Sequence, residues 1–281
     1  MTAIRIVTDS TADLPLSLVA RYGIGVVPLT VIFGEETYRD GVDLSSGDFY
    51  RRLVSDPRHP HTSQPSPAAF AQEYQRMSAE GAERLLVFSI SSRLSGTYQA
   101  AVMASQMVDI PVDVIDTEQA SLAMGWMVLT AAQAAESGAS AEDILKWAND
   151  CKQRTSLLFV VDTLEYLKRN GRIGKASAML GTLLSVKPIL SLIDGVVTPV
   201  DKVRGSSKAI GRMVEICSQR HAGQSGLRIG ILHAASPEPA AKLAETIHEA
   251  LHPEEILISE IGPVLGAHAG PNAVGVAIVP R

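Results

Sequence analysis

Two short segments carry side chains suited to binding an anion. Residues 91–99 (SSRLSGTYQ) follow the apolar run LLVFSI, and residues 61–67 (HTSQPSP) are similarly rich in hydroxyl groups. Neither segment contains a lysine. Hydroxyl groups and the unpaired N–H groups at a helix N-terminus can bind a carboxylate or a phosphate without any basic residue. Thr62, Ser95 and the backbone N–H of Gly96 are therefore candidates for an anion site.

Other uses of the same residues stay open. A serine before a helix is most often an N-cap, and Thr62 close to Pro65 also fits a turn. Ser95 lacks the G-x-S-x-G pattern of a nucleophile elbow, but seven histidines, His268 among them, leave a Ser/His/Asp hydrolase open. Residues 171–177 (GRIGKAS) have two residues between the glycines where a Walker A loop has four, which disfavours a nucleotide site.

The elements that must position these residues alternate between strand and helix in the first half of the chain. The runs AIRIVT, GVVPLTVIF, LLVFSI and PVDVID predict strands, FGEETYRDG predicts a turn region, and helices are predicted between them, the first ending at Gly23. This alternation favours a parallel sheet flanked by helices, in which ligands bind outside the carboxyl ends of the strands. Those ends, at residues 8–11, 89–96 and 116–117, are predicted to form a polar rim.

The second half of the chain predicts a mixed α/β domain. Its strongest signal is a β-hairpin, with two apolar strands around Asp194 and Gly195. Residues 175–186 (KASAMLGTLLSV) predict a helix that Pro188 stops. The expected fold class is α/β with two domains. Residues 1–150 would form a parallel sheet flanked by helices, and residues 151–281 a mixed sheet with helices.

Composition excludes several classes of protein. The chain has 281 residues, 46% of them hydrophobic, and a net charge of −5. This acidic balance and an aromatic content of 5% disfavour a nucleic-acid groove. The two cysteines, Cys151 and Cys217, stand far apart, which disfavours a disulfide framework or a zinc site and is typical of a reducing cytoplasm. With no signal-peptide layout and no apolar run long enough for a bilayer, we expect a soluble cytoplasmic protein.

Seven motifs, in their order along the chain, resemble those of the DegV family. They are VTDSTADLP, YRDGVDLS, TSQPSP, SSRLSGTYQAA, VIDT, NGRIGKASAMLGTLLSVKPIL and GPVLGAHAGP. The resemblance runs from about residue 4 to residue 280, and TSQPSP with LSGTYQ is its most specific part. Members of this family bind fatty acids, and the best understood are the FakB-type subunits of a bacterial fatty acid kinase.

The resemblance implies two α/β domains and a buried tunnel, between or beside them, for one long-chain fatty acid. It implies that Thr62, Ser95 and Gly96 bind the carboxyl group, with His268 close to this head group. It also implies that the chain itself is not an enzyme and needs no cofactor and no metal. A separate ATP-dependent kinase would make the acyl phosphate, which can then enter phospholipid synthesis.

The resemblance further implies that Asp40, Arg172 and Arg204 contact the kinase. The predicted partners are thus the fatty acid and the kinase, with transient membrane contact left open and no nucleic acid. The apolar residues considered for the tunnel wall, each equally suited to an ordinary core, are Phe159, Leu167, Met179, Leu183 and Leu184. Two other functions stay open: a lipid sensor without a kinase partner, and a serine hydrolase that uses Ser95 and His268.

Overall fold

The computed structural model describes residues 3–180 and 186–280. Up to residue 154 its elements are β1 (Ile4–Asp9), α1 (Leu16–Tyr22), β2 (Gly25–Val27), β3 (Thr30–Phe33), β4 (Glu36–Arg39), α2 (Ser46–Ser55), β5 (His61–Ser63), α3 (Pro67–Ala79), β6 (Arg84–Ser89), α4 (Thr97–Ser105), β7 (Val112–Asp116), α5 (Ser121–Glu136) and α6 (Ala141–Arg154). After residue 154 the described elements are β8 (Ser156–Val160), α7 (Glu165–Arg169), β9 (Val186–Ile193), β10 (Val196–Arg204), α8 (Ser206–Arg220), β11 (Leu227–His233), α9 (Pro237–Leu251), β12 (Glu255–Glu260), α10 (Pro263–Ala269) and β13 (Val274–Pro280). Two 3₁₀ helices lie at Ser10–Ala12 and Gly174–Met179.

Four parallel strands form the first sheet, in the order β2-β1-β6-β7. Successive side chains of β6 point to opposite faces of the sheet. Leu85 and Val87 pack with residues of α3 and α4, whereas Leu86 and Phe88 belong to the core that contains α5. The predicted parallel sheet with flanking helices is confirmed, and the carboxyl ends of β1, β6 and β7 meet at one edge.

The second sheet has six strands in the order β10-β9-β8-β13-β11-β12. It is mixed, because β11 and β12 run parallel whereas the other neighbours are antiparallel. The β9–β10 hairpin turns at Asp194 and Gly195, with φ of 52° and 73°. A two-residue type I′ turn requires positive φ at both positions, so the predicted hairpin is confirmed.

Helix α5 lies between the two sheets. It packs against β1 and β6 of the first sheet and against β11 and β13 of the second. Its side chains are buried around most of the helix, including Leu122, Trp126 and Leu129. None of the helices in residues 3–180 and 186–280 is long and apolar enough to cross a membrane. Because α6 runs through residue 150, the division at residues 150 and 151 stays a prediction.

Some local predictions differ from the structure. The run GVVPLTVIF is not one strand: β2 ends before Pro28, which has no N–H to donate, and β3 joins a separate antiparallel sheet, β4-β3-β5. The segment FGEETYRDG contains β4 in addition to a turn. Within the predicted helix 175–186, the described part is 3₁₀ up to Met179 and strand from Val186, and Pro188 lies inside β9. Residues 181–185 lie outside the described residues.

Candidate ligand-binding site

A cavity of about 480 Å³ lies between the second sheet and the loops that follow β6 and β7 of the first sheet. Most of its wall is apolar, and five strands of the second sheet contribute Leu157 and Phe159 (β8), Leu192 (β9), Val197 (β10), Leu232 (β11) and Val274 (β13). The β9–β10 hairpin is fastened to the loop after β6, because the Ser91 hydroxyl donates a hydrogen bond to the Gly195 carbonyl over 2.9 Å. The polar side chains of the lining are Thr62, Ser63, Gln64, Ser95, Ser121, Arg172 and His268.

Thr62 and His268 meet at this cavity. Thr62 is the middle residue of β5, paired with Val31, and His268 lies near the end of α10. Their Oγ1 and Nε2 atoms are 2.9 Å apart. The histidine ring faces the cavity but is otherwise enclosed by protein. This burial, assisted by the charges of Arg172 and His59, lowers the pKa of His268 to about 3. The ring is therefore neutral at physiological pH.

The neutral imidazole of His268 has one unused hydrogen-bonding position. Its Nδ1 is buried and has no hydrogen-bond partner in residues 3–180 and 186–280. Close contacts at two glycines fix the position of α10 and therefore of the His268 ring. A β-carbon on Gly266 would lie 2.7 Å from the Tyr50 hydroxyl oxygen, and one on Gly270 would overlap the Tyr166 ring. These contacts explain Gly266 and Gly270 of the motif GPVLGAHAGP.

Ser95 and Gly96 lie immediately before α4. The Ser95 hydroxyl accepts a hydrogen bond from the Thr97 N–H over 3.3 Å and lies 2.8 Å from the Thr97 hydroxyl. A β-carbon on Gly96 would overlap Oε1 of Gln64. Gln64 thus lies directly over the backbone of Gly96. This contact joins the two hydroxyl-rich segments. Whether Thr62, Ser95 and Gly96 bind a carboxylate stays a prediction.

Ser95 and His268 do not contact each other. Nε2 of His268 is engaged by Thr62, and the hydrogen bonds of the Ser95 hydroxyl within the described residues go to Thr97. A general base with a pKa near 3 would also be a weak proton acceptor at neutral pH. This geometry does not favour the serine hydrolase. Among the described residues, no group of three or more His, Cys, Asp or Glu could hold a metal ion.

The charged residues predicted to contact a kinase occupy different environments. Arg172 is exposed and lines the cavity, and its guanidinium donates to the carbonyls of Leu94 and Asn170 over 2.9 and 2.8 Å. Arg204 is exposed at the end of β10. Asp40 is instead only 4% exposed and accepts a hydrogen bond from the Ser10 hydroxyl over 2.7 Å. Burial of Asp40 favours an internal role for this residue, and the docking roles stay predictions.

The apolar residues considered for the tunnel wall also lie in different environments. Phe159 and Leu167 line the cavity, whereas Met179 packs against the main core. Leu183 and Leu184 lie outside the described residues. Gln64 is not among the residues predicted for the site, although it stands inside the motif TSQPSP between Thr62 and Pro65. Asn170 is not among them either. Its amide donates to the Ala267 carbonyl over 2.8 Å and so ties the loop before Arg172 to α10.

Comparisons with known proteins cover the full length of the chain. A family model described as "Uncharacterised protein, DegV family" matches residues 3–281. A DegV domain-containing protein from Streptomyces coelicolor is 40% identical over 280 residues, 99% of each chain. The solved structure of a DegV family protein from Thermus thermophilus, described by its fatty acid binding, is 38% identical with a TM-score of 0.95 and covers 100% of both chains. DegV from Bacillus subtilis, described as a fatty acid binding protein, is 35% identical with a TM-score of 0.93, also over 100% of both chains.

Proposed function

This chain belongs to the DegV family, and we propose that it binds one long-chain fatty acid and presents the carboxyl group to a separate ATP-dependent kinase. The acyl chain occupies the apolar part of the cavity, and the carboxylate lies against Thr62, Ser95, Gly96 and His268. One observation carries the proposal: a large apolar cavity has neutral hydrogen-bonding groups from β5, the start of α4 and α10 in its lining. The chain itself catalyses no step.

The apolar wall supplies the affinity. Burying roughly 14 methylene groups at about 0.8 kcal/mol each releases on the order of 11 kcal/mol before the costs of ordering the ligand. This is enough for tight binding without any ion pair to the head group. The apolar side chains of the lining come from strands of the second sheet and from loops of the first half of the chain, so binding also connects the two halves of the fold.

The polar end orients the ligand. A carboxylate enclosed by protein is costly unless donors surround it, and hydrogen bonds to a charged acceptor are among the stronger ones. Hydroxyl groups of Thr62 and Ser95 and the backbone at Gly96 supply such donors. Because His268 is neutral, it contributes a hydrogen bond rather than a full positive charge. A carboxylate held mainly by neutral donors remains accessible as a nucleophile toward the γ-phosphate of ATP.

The kinase would approach where Arg172 borders the cavity. Arg172 is exposed there, and Arg204 is exposed at the end of β10, so both can meet a partner. Charges at the rim of an interface act chiefly on encounter and orientation. In the lipid-sensor alternative, the same cavity is used without this contact.

Mass spectrometry of the purified protein under denaturing conditions tests the carrier. We expect one equivalent of a co-purifying long-chain fatty acid. A spectrum without lipid, combined with no uptake of added oleate or palmitate, would overturn the proposal. Incubation of the loaded protein with ATP and a fatty acid kinase should then give an acyl phosphate, trapped as a hydroxamate with hydroxylamine. Lipid binding without any acyl phosphate would favour the sensor.

A further inference from the structure

Three buried carboxyl groups lie close to the start of α10. Asp9, Asp13 and Asp40 are 0, 9 and 4% exposed, and no lysine or arginine in the described ranges pairs with them. Asp9 is satisfied within the first sheet, where it accepts from the backbone N–H groups of Thr11 and Ile90 over 3.0 and 2.9 Å. Asp13 and Asp40 differ from Asp9, because their bonds cross to the segment that leads into α10.

Both carboxyl groups converge on Gly262, the residue before α10. The Gly262 N–H donates to Oδ1 of Asp13 over 2.9 Å, and the Val264 N–H donates to Asp40. A β-carbon on Gly262 would lie 3.0 Å from Oδ1 of Asp13 and 3.3 Å from Oδ1 of Asp40. The Ser259 hydroxyl adds a bond to the Asp13 carbonyl over 2.7 Å. The first turn of α10 is thus fastened through two acids, to the segment that follows β1 by Asp13 and to the end of β4 by Asp40.

Asp13 also touches the wall of the cavity. Its second carboxyl oxygen accepts a hydrogen bond from the Ser121 hydroxyl, and Ser121 lines the cavity at the start of α5. At its other end α10 carries His268, only six residues after Gly262. A displacement of Gly262 would therefore move the imidazole relative to Thr62, and a displacement of Ser121 would move the wall.

We infer that Asp13 and Asp40 form a carboxyl pair that together holds one proton and positions His268 and Ser121 for the fatty acid, so that losing this proton weakens binding. The inference rests on the proposed function, because its readout is fatty acid affinity. The two acids act through α10 and α5 and do not touch the ligand carboxyl group. They are positioning residues.

Electrostatics supports a shared proton. Two carboxyl groups that approach one glycine without a cation cannot both ionise cheaply. Burial, and then the charges of Asp40 and Asp9, raise the pKa of Asp13 to about 8, although hydrogen bonds from Ser121 and Gly262 oppose the shift. Burial also raises the pKa of Asp40 to about 6. The other titratable groups facing the pair are Tyr50 of α2 and Glu260 at the end of β12, and neither supplies a positive charge.

The direction of the pH effect follows from these shifts. A carboxyl group whose pKa is raised in the folded protein binds more protons there than in the unfolded chain. Its contribution to stability is therefore greatest at low pH and is lost as the pH rises toward 8. At neutral pH the pair holds one proton and one negative charge. At pH 9 both acids are ionised, they repel each other, and the attachment of α10 weakens.

Oleate affinity at pH 7 and pH 9 tests the inference with three variants of the full chain. We expect the wild type to bind about tenfold more weakly at pH 9. Asp13→Asn keeps an oxygen for the Gly262 N–H and resembles the neutral acid, so it should bind like the wild type at pH 7 and change little at pH 9. Gly262→Ala, which removes no titratable group, should weaken binding at both pH values and shift the NMR signals of the His268 ring. Asp109→Asn, at an exposed acid, should follow the wild type.

The outcomes separate this inference from the proposed function. A wild type that takes up no oleate at pH 7 contradicts the proposed function itself. A wild type that binds, with Asp13→Asn weakening at pH 9 as much as the wild type does, contradicts the proton-sharing pair alone. Unchanged affinity and unchanged His268 signals in Gly262→Ala would show that the start of α10 does not position the ring.

Discussion

The apolar wall and the polar end of the cavity differ in what they offer a ligand. The wall gathers apolar side chains from five strands of the second sheet together with others from the first half of the chain. At the polar end, Thr62, Ser95 and a histidine that burial keeps uncharged offer neutral groups, and the charged Arg172 borders the cavity. Affinity and orientation therefore come from separate sets of residues. A change in the wall should alter how tightly the lipid binds, and a change at the polar end should alter how its carboxyl group is held.

The largest effect is expected from a charge in the wall. Phe159→Glu places a carboxylate against the acyl chain, which costs several kcal/mol and should weaken oleate binding about a thousandfold. Phe159→Leu keeps the wall apolar and serves as the matched control, with a much smaller loss. Fluorescence displacement measures both affinities, and circular dichroism verifies the fold. Wild-type affinity in Phe159→Glu would place the acyl chain elsewhere.

Head-group variants should have the next largest effect. Removing one neutral donor to a charged acceptor costs about 1.5–3 kcal/mol, so Thr62→Ala and Ser95→Ala should each weaken binding or phosphorylation by about 10- to 150-fold. His268→Ala should also impair function. Ser92→Ala, at an exposed hydroxyl of the same loop, is the control. If Thr62→Ala, Ser95→Ala and His268→Ala all keep wild-type affinity and turnover, the carboxyl group lies at the other end.

The neutral state of His268 predicts a pH dependence of stability. Its pKa falls from about 6.5 in the unfolded chain to about 3 in the folded protein, so folding is opposed increasingly as the pH drops below 6.5. Between pH 7 and pH 4 the free energy of unfolding should therefore decrease in both proteins. The decrease should be about 1–2 kcal/mol smaller in His268→Gln than in the wild type. Urea denaturation at both pH values measures these two decreases. The buried acids contribute equally to both proteins, so their contributions cancel when the decreases are subtracted. Equal losses would mean that the pKa of the ring is the same in the folded and the unfolded protein.

The smallest effects should come from the exposed arginines. Arg172→Ala and Arg204→Ala should keep the fatty acid bound but slow acyl-phosphate formation at limiting carrier, each by no more than several-fold. The loss should decrease as salt is added, since salt screens the wild-type attraction. Lys242→Ala, on the exposed side of α9, controls for a general change of charge. Lipid loss in Arg204→Ala, or full turnover in both arginine variants, would contradict the docking role.

Much of the fold could be predicted because the strands and helices carry regular patterns. The apolar run of β6 and the Asp194-Gly195 turn are local signals, and the structure agrees with both. Pro28 shows the limit: a missing N–H predicts a break, but only tertiary packing decides that the chain then enters a second sheet. The sequence likewise marks Asp40 as charged, whereas its burial depends on α10 packing over it.

The site was predicted in part for the same reason. Thr62, Ser95 and His268 stand in motifs, and the structure brings all three to one cavity. The contact between Gln64 and Gly96 joins two segments that are 32 residues apart, and no local sequence pattern predicts it. The links from Asp13 to Gly262 and Ser121 span still larger separations. Such contacts depend on how the two halves of the chain pack together.

A crystal structure of the protein with oleate tests the central claim most directly. We predict that one carboxylate oxygen lies within hydrogen-bonding distance of the Thr62 hydroxyl and the other near Ser95 and Gly96, with the acyl chain against Phe159, Leu157 and Leu232. A ligand with its carboxylate among those apolar side chains, or a lipid bound outside this cavity, would contradict the account.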